Sequence, residues 1–212
     1  MTGDLLAGRL LCHVNLAAGY RGGERQTQLL IEQFAARGYR QRLVARRGGE
    51  LARRCTGIAG LDIRETSSSP LAAAWATRGG DILHAHEARA IYACWLGSLT
   101  GRARWLLTRR VDNPFKSSPV RNRAYRSANA LVAVSRAIKS QIETFYAGER
   151  CTVVADAHAN LARGHAGAAE LRERFAGKTV IGHIGALDHS HKGQGTIIAA
   201  ARLAAESHPE LH

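Results

Sequence analysis

The residues best placed to do chemistry begin with three glycines near the start of the chain. An apolar run over residues 10–14 gives way to a segment carrying Gly19, Gly22 and Gly23. Leu29, Leu30, Phe34 and Ala35 then recur at three- and four-residue spacing, the mark of an amphipathic helix. Glycines without Cβ atoms let a ligand touch the backbone and let the chain take positive φ. The first N–H groups of the following helix point at the same place, which suits a phosphate or another anion. The spacing is neither G-x-G-x-x-G nor G-x-x-x-x-G-K-[ST], so neither the dinucleotide fingerprint nor the P-loop is present. A tight strand-to-helix turn holding no ligand would use the same residues. His183, His189 and His191 lie close in sequence, but no cysteine or carboxylate set completes a metal-ligand spacing, so no metal is expected. Cys12, Cys55, Cys94 and Cys151 form no CxxC pair and read as buried thiols in a reducing compartment.

The composition, 45% hydrophobic and 22% charged, is that of an ordinary soluble globular protein. No apolar run approaches the roughly 18–20 residues that cross a bilayer. With Asp4 and no basic region ahead of the first apolar residues, the N-terminus does not read as a signal peptide. The net charge of +13 favours anionic partners: nucleic acid, acidic lipid headgroups or a phosphorylated substrate. It is concentrated over residues 102–126, where eight basic residues face Asp112 alone. A solvated arginine-rich face is the plainer explanation of that segment.

The elements that must position these residues alternate. Strands are expected over 10–14, 42–45, 58–63, 81–84, 105–108, 130–134 and 151–155, with helices from the glycine loop to Gly38, through Leu51 and Ala52, and over 71–77 and 88–99. A further helix is expected after Ser135, with Ile138, Ile142 and Phe145 at helical spacing. Residues 113–119, with Asn113-Pro114 and Ser118-Pro119, read as an irregular loop leading to the sixth strand. Strands that are continuously apolar argue for a parallel sheet with helices on both faces. Residues 157–167 read as a linker. They are followed by a helix over 168–175, a strand over 179–184 and a last helix over about 196–206. The expected domains are therefore 1–160, Rossmann-like, and 161–212, a linker and the start of a second α/β unit. Two elements cannot bury a core of their own, so they are expected to dock on the first domain or the chain to be a fragment, and the apolar final helix to cause self-association or poor solubility.

Several stretches then line up in order: G-G-E-R-Q after the first strand, D-I-L-H-A-H at the fourth, A-N-A-L-V-A-V-S-R-A-I-K at the sixth, and I-G-H-I-G-A-L-D-H-S-H-K-G opening the second unit. Over nearly its whole length the chain resembles family 4 of the retaining, nucleotide-sugar-dependent glycosyltransferases, whose GT-B fold sets two Rossmann-like domains face to face. The resemblance implies that Gly22 and Gly23 lie near the transferred sugar and its phosphate. It implies that His86 lies beside the sugar and acceptor as a catalytic-site residue, and that Lys192, with Gly193, contacts the nucleotide diphosphate. A lysine there would offset charge that builds as the glycosidic bond breaks. His84 reads as a packed strand histidine. Glu24 directly follows Gly23, where the family spaces the glutamate by one residue, so no role is carried to it. The family's E-x(7)-E donor region has no counterpart among these residues, and half of a donor site is expected to be missing. Arg109 and Arg110 end the fifth strand. They are expected to point into the cleft and receive an anionic acceptor, such as a phosphorylated glycan or lipid-linked sugar.

The leading expectation is a hexosyltransferase that uses a nucleotide-diphosphate sugar as donor substrate, with no cofactor and no metal. Its acceptor would be a glycan or lipid-linked sugar, in cell-surface polysaccharide or lipopolysaccharide assembly. A cytoplasmic location, peripheral at the inner membrane face, follows if the basic segment touches acidic headgroups. The reading from another class is a non-catalytic Rossmann-like module that binds nucleotide, anionic lipid or nucleic acid. Nucleic acid is not expected, because only Trp105, Phe115 and Tyr125 interleave the basic segment.

Overall fold

β1 (Leu11–Asn15) is buried along its whole length and lies in the interior of a seven-stranded sheet. In this computed structural model, residues 4–115, 118–146, 151–157, 167–185, 192–205 and 207–208 are described. The remaining strands are β2 (Gln41–Arg46), β3 (Leu61–Thr66), β4 (Ile82–Ala85), β5 (Arg104–Arg109), β6 (Ala130–Ala133) and β7 (Cys151–Val153). Their order is β3-β2-β1-β4-β5-β6-β7 and every pairing is parallel. Side chains alternate between faces along each strand, and helices cover both. α1 (Gly22–Ala35) and α2 (Glu50–Cys55) pack on one face around Ile31, Leu43 and Leu51. α3 (Pro70–Ala76), α4 (Ala88–Leu99), α5 (Pro119–Ser127) and α6 (Arg136–Phe145) share the larger core on the other, built on Cys12, Val14, Leu83, Trp105 and Leu107. This is the α/β, Rossmann-like class expected from the sequence.

Polar residues at the strand starts fix the register. Asp81 accepts a hydrogen bond from Leu10 N at 2.7 Å, and Asn129 accepts one from Trp105 N at 2.9 Å. Both bind strand edges that have no ladder partner at that level. The outermost strand, β3, begins three residues later than expected, because Gly60, at φ +71°, turns the chain between Ile58 and Leu61. It carries Asp62, which binds Arg42 at 2.7 Å, and a charged outer strand discourages pairing with another molecule.

No helix is expected from the sequence where α5 forms, and the irregular loop read over residues 113–119 ends at its first turn. Ser118 accepts from Arg121 N at 3.2 Å and Pro119 occupies the first turn, so the Ser-Pro pair begins a helix. Its arginines hid the pattern, since only Ala124 and Tyr125 are buried. All four cysteines are buried and free. No helix among the described residues is long and apolar enough to cross a membrane.

The chain divides into two units, Met1–Ala159 and Asn160–His212. In the second, α7 (Ala168–Arg174) and α8 (Gln194–Ala204) bury no residue. The strand expected over 179–184 does not form. Thr179 makes only an isolated bridge, and Ile181 and Ile184 are 65% and 101% exposed. A strand is held by its neighbour's hydrogen bonds, and none of the described residues of this unit supplies one.

The contact between α3 and α4 gives a test of packing. A Cβ on Gly97 would stand 2.5 Å from Thr77 Oγ1 and 3.1 Å from Leu83 Cδ1. Gly97→Ala is expected to destabilise the fold by about 1–3 kcal/mol despite the better helix propensity of alanine. Denaturant unfolding measures it, and a more stable variant would show that the two helices can separate at little cost.

Candidate functional site

The strand order reverses at β1, which has β2 on one side and β4 on the other. The chain segments after β1 and β4 therefore leave toward opposite faces, and a crevice opens beyond the strands' carboxyl ends. Glu87 ties the two segments together. Its carboxylate caps α4 by accepting from Arg89 N at 2.7 Å and Ala90 N at 2.8 Å, and it also accepts from Leu16 N at 3.3 Å. Asn15, at the end of β1, donates to Thr27 Oγ1 at 3.1 Å and so anchors α1.

Gly22 and Gly23 form the first turn of α1 and do not take positive φ. Their use is access. A Cβ on Gly22 would meet nothing within 4 Å, and one on Gly23 would meet only Arg110 Cδ at 3.9 Å. The first i→i−4 bond of the helix runs from Arg25 N to Arg21 O, so the N–H groups before it face outward beside Arg110. Glu24, which received no role from the sequence, accepts from Arg21 N at 2.8 Å and caps the helix.

Arg109 and Arg110 do not share a direction, because consecutive strand residues alternate between faces. Arg110 lies on the α1 face, where it donates to Asp156 Oδ1 at 3.0 Å and to His86 O at 3.4 Å. Arg109 turns into the aromatic cluster on the other face. Its guanidinium sits 3.9 Å over the Phe115 ring, meets Tyr125 Oη at 3.4 Å and donates to Asn113 O. The structure thus sets Arg110 at the crevice and Arg109 in a clamp on the segment after β5.

His86 follows β4 and belongs to a cluster that the sequence did not reveal. His13 and His84 occupy paired positions of β1 and β4. His13 Nδ1 lies 3.1 Å from His86 Nε2, and His13 Nε2 lies 3.1 Å from Gln41 Oε1. The ring of His84 lies against His86, tilted by 34° at 3.8 Å between centroids, and its Nε2 lies 2.7 Å from Thr108 Oγ1. Burial favours the neutral imidazoles, lowering His13 from 6.5 to about 4. His84 and His86 are likewise lowered, first by burial and then by the neighbouring histidines and Arg110. One ring nitrogen of each of the three lies within 4.8 Å of the others, close enough for metal ligands. Here His13 Nδ1 and His86 Nε2 face each other, and among the described residues no carboxylate joins the set. The contacts that link His13 to Gln41 and His86 are hydrogen bonds. Strand alternation combined with β1–β4 pairing was the only signal that could have found the cluster.

Beside the histidines a groove of about 490 Å³ runs between α1 and the sheet. Leu29, Leu30 and Phe34 of α1 line it opposite Leu106 and Val132 of the sheet, and Arg110 and Asp156 line it as well. Lys192 and Gly193 belong to the second unit, where Gly193, at φ +64°, caps α8 and the stem of Lys192 passes 3.5 Å from a Cβ built on Gly185. His189 and His191 lie outside the described residues.

No protein-family model matches the chain, and no curated protein matches it by sequence. Solved structures share its fold. Anabaena HepE in complex with UDP-glucose superposes with a TM-score of 0.74 at 17% identity, covering 96% of this chain and 59% of HepE. A glycosyltransferase from Rickettsia africae gives 0.64 at 17% identity, over 85% of this chain and 54% of the other. The lipopolysaccharide outer core galactosyltransferase WaaB gives 0.53 at 11%, over 72% and 47%. The chain thus spans less than two thirds of the length of these proteins, and the likeness is one of fold.

The buried imidazoles give the pH dependence of stability its sign. Their folded pKa values lie below that of an unfolded histidine, so the unfolded chain binds more protons as the pH falls. Stability is complete above about pH 6.5 and is lost toward pH 4. His13 alone should account for a loss on the order of 3 kcal/mol across that range. The urea midpoint should fall steadily from neutral pH to about pH 4, and less steeply in His13→Gln. A flat profile in the wild type would show that the cluster is not buried as described.

Proposed function

We propose that the chain is part of a nucleotide-sugar-dependent glycosyltransferase, with Met1–Ala159 as its acceptor-side domain. The observation that carries this reading is the meeting of three features at the carboxyl ends of β1, β4 and β5. These are the open first turn of α1 at Gly22 and Gly23, the buried His86, and Arg110 between them. A helix N-terminus beside a guanidinium suits phosphate oxygens or an anionic sugar, and a buried neutral imidazole suits a sugar hydroxyl. The folds of HepE, solved with UDP-glucose, and of WaaB support the same reading.

In this reading His86 contacts the transferred sugar, and Lys192 with Gly193 receives the diphosphate, whose charge grows as the anomeric C–O bond breaks. Arg110 faces the acceptor. The carboxylates nearest the crevice are already held: Glu24 by Arg21 N, Glu87 by three backbone N–H groups, and Asp156 by Arg110. That supports a transfer needing no covalent carboxylate nucleophile, as in retaining enzymes of the resembled family. An anionic acceptor in cell-surface glycan or lipopolysaccharide assembly agrees with the net charge of +13.

Calorimetric titration of the full chain with UDP, GDP and their glucose conjugates, alongside a sugar-transfer assay, tests the reading. Binding of one nucleotide at micromolar to millimolar concentration is expected. Arg110→Ala should weaken acceptor use about tenfold while leaving nucleotide affinity unchanged. Absence of nucleotide binding in the folded protein with its donor domain complete would refute the assignment.

A further inference from the structure

The hydrogen bonds around His13 determine where the protons of the cluster lie. Gln41 Nε2 is 3.1 Å from Ile31 O, a carbonyl that can only accept. The amide nitrogen must therefore face Ile31, and the amide oxygen Oε1 must face His13. Oε1 can only accept as well, so His13 carries its proton on Nε2. Because His13 is neutral near pH 7, its Nδ1 is a bare lone pair. The 3.1 Å contact from that lone pair to His86 Nε2 then requires His86 to be the donor. His86 in turn has a bare Nδ1, and this atom is buried without a hydrogen-bond partner among the described residues.

An orphaned buried acceptor costs free energy comparable to a lost hydrogen bond. Nothing about the ring relieves that cost by rotation. The tilted His84 ring lies against it at 3.8 Å between centroids, and Arg110 holds the His86 carbonyl oxygen at 3.4 Å. A ring flip would also place a C–H against the His13 lone pair. We infer that Gln41 and His13 are positioning residues which hold His86 as its Nε2–H tautomer and reserve its Nδ1 lone pair for one hydroxyl group of the bound sugar. The proton placement stands on the hydrogen-bond geometry and the neutral state of buried His13, whereas the hydroxyl as donor rests on the glycosyltransferase reading.

Two measurements on the full chain test the two parts separately. Long-range proton–nitrogen correlation spectra of isotope-labelled histidine read each tautomer without any ligand. His13 and His86 should both be Nε2–H in the wild type. His86 should lose that uniform state in Gln41→Leu and in His13→Phe, and keep it in His13→Asn, whose side-chain carbonyl stands near the lost Nδ1. A wild-type His86 protonated on Nδ1, or one unchanged in the first two variants, would overturn the relay. So would shifts of all three rings on adding Zn²⁺, which would make the cluster a metal site. In the second measurement, affinity for UDP-glucose should fall roughly tenfold in Gln41→Leu and His13→Phe, and recover in His13→Asn, with UDP affinity unchanged throughout. Equal loss for UDP and UDP-glucose would overturn the hydroxyl contact. A wild type that binds neither would remove the sugar together with the glycosyltransferase reading, and the spectra would still decide the proton placement.

Discussion

Because β4 pairs directly with β1, out of chain order, the two strands end side by side while the helices that follow them pack on opposite faces. Everything that makes a site here descends from that pairing. It places the glycine-opened start of α1 and the start of α4 on either side of one crevice, and it sets His13 beside His84 in register. Glu87 adds the local restraint. By accepting from Leu16 N as well as from two N–H groups of α4, it fixes the distance between the two segments.

The face of the sheet under α1 carries an unusual load for an interior. Asn15, Gln41, His13, His86 and Thr108 are all buried there. Burying polar groups is costly unless each finds a partner. Most do, in a connected path from Ile31 O through Gln41 and His13 to His86, with Asn15 bound to Thr27. The opposite face is close-packed and apolar around Trp105, Leu107 and Ile142. One face thus holds the fold together while the other is organised around hydrogen bonds.

The same alternation divides the positive charge. Arg109 and Arg110 are neighbours in sequence, yet one stacks on Phe115 within the aromatic cluster and the other reaches Asp156 and the His86 carbonyl. Arg42 lies nearly buried in β2, held by Asp62 and by two carbonyl oxygens at the end of α3. Part of the basic excess is therefore structural. Guanidinium groups suit this role because their planar donors can satisfy several carbonyls at once.

The sequence by itself determined the layered α/β class, most strand and helix positions, the cap at Ser135 and the candidates at Gly22, Gly23 and His86. Each is a local matter of apolar period, turn chemistry or motif, and needs no knowledge of neighbours. Even α5 was legible in principle, since Ser118-Pro119 is a helix start; its arginines masked a face that buries only Ala124 and Tyr125. Tertiary structure decided the rest. That His13 and Gln41 stand behind His86, and that Arg109 and Arg110 part company, follow from which strands pair and in what register. The strand expected over 179–184 failed for the same reason in reverse, because an apolar run becomes a strand only where another strand completes its hydrogen bonds.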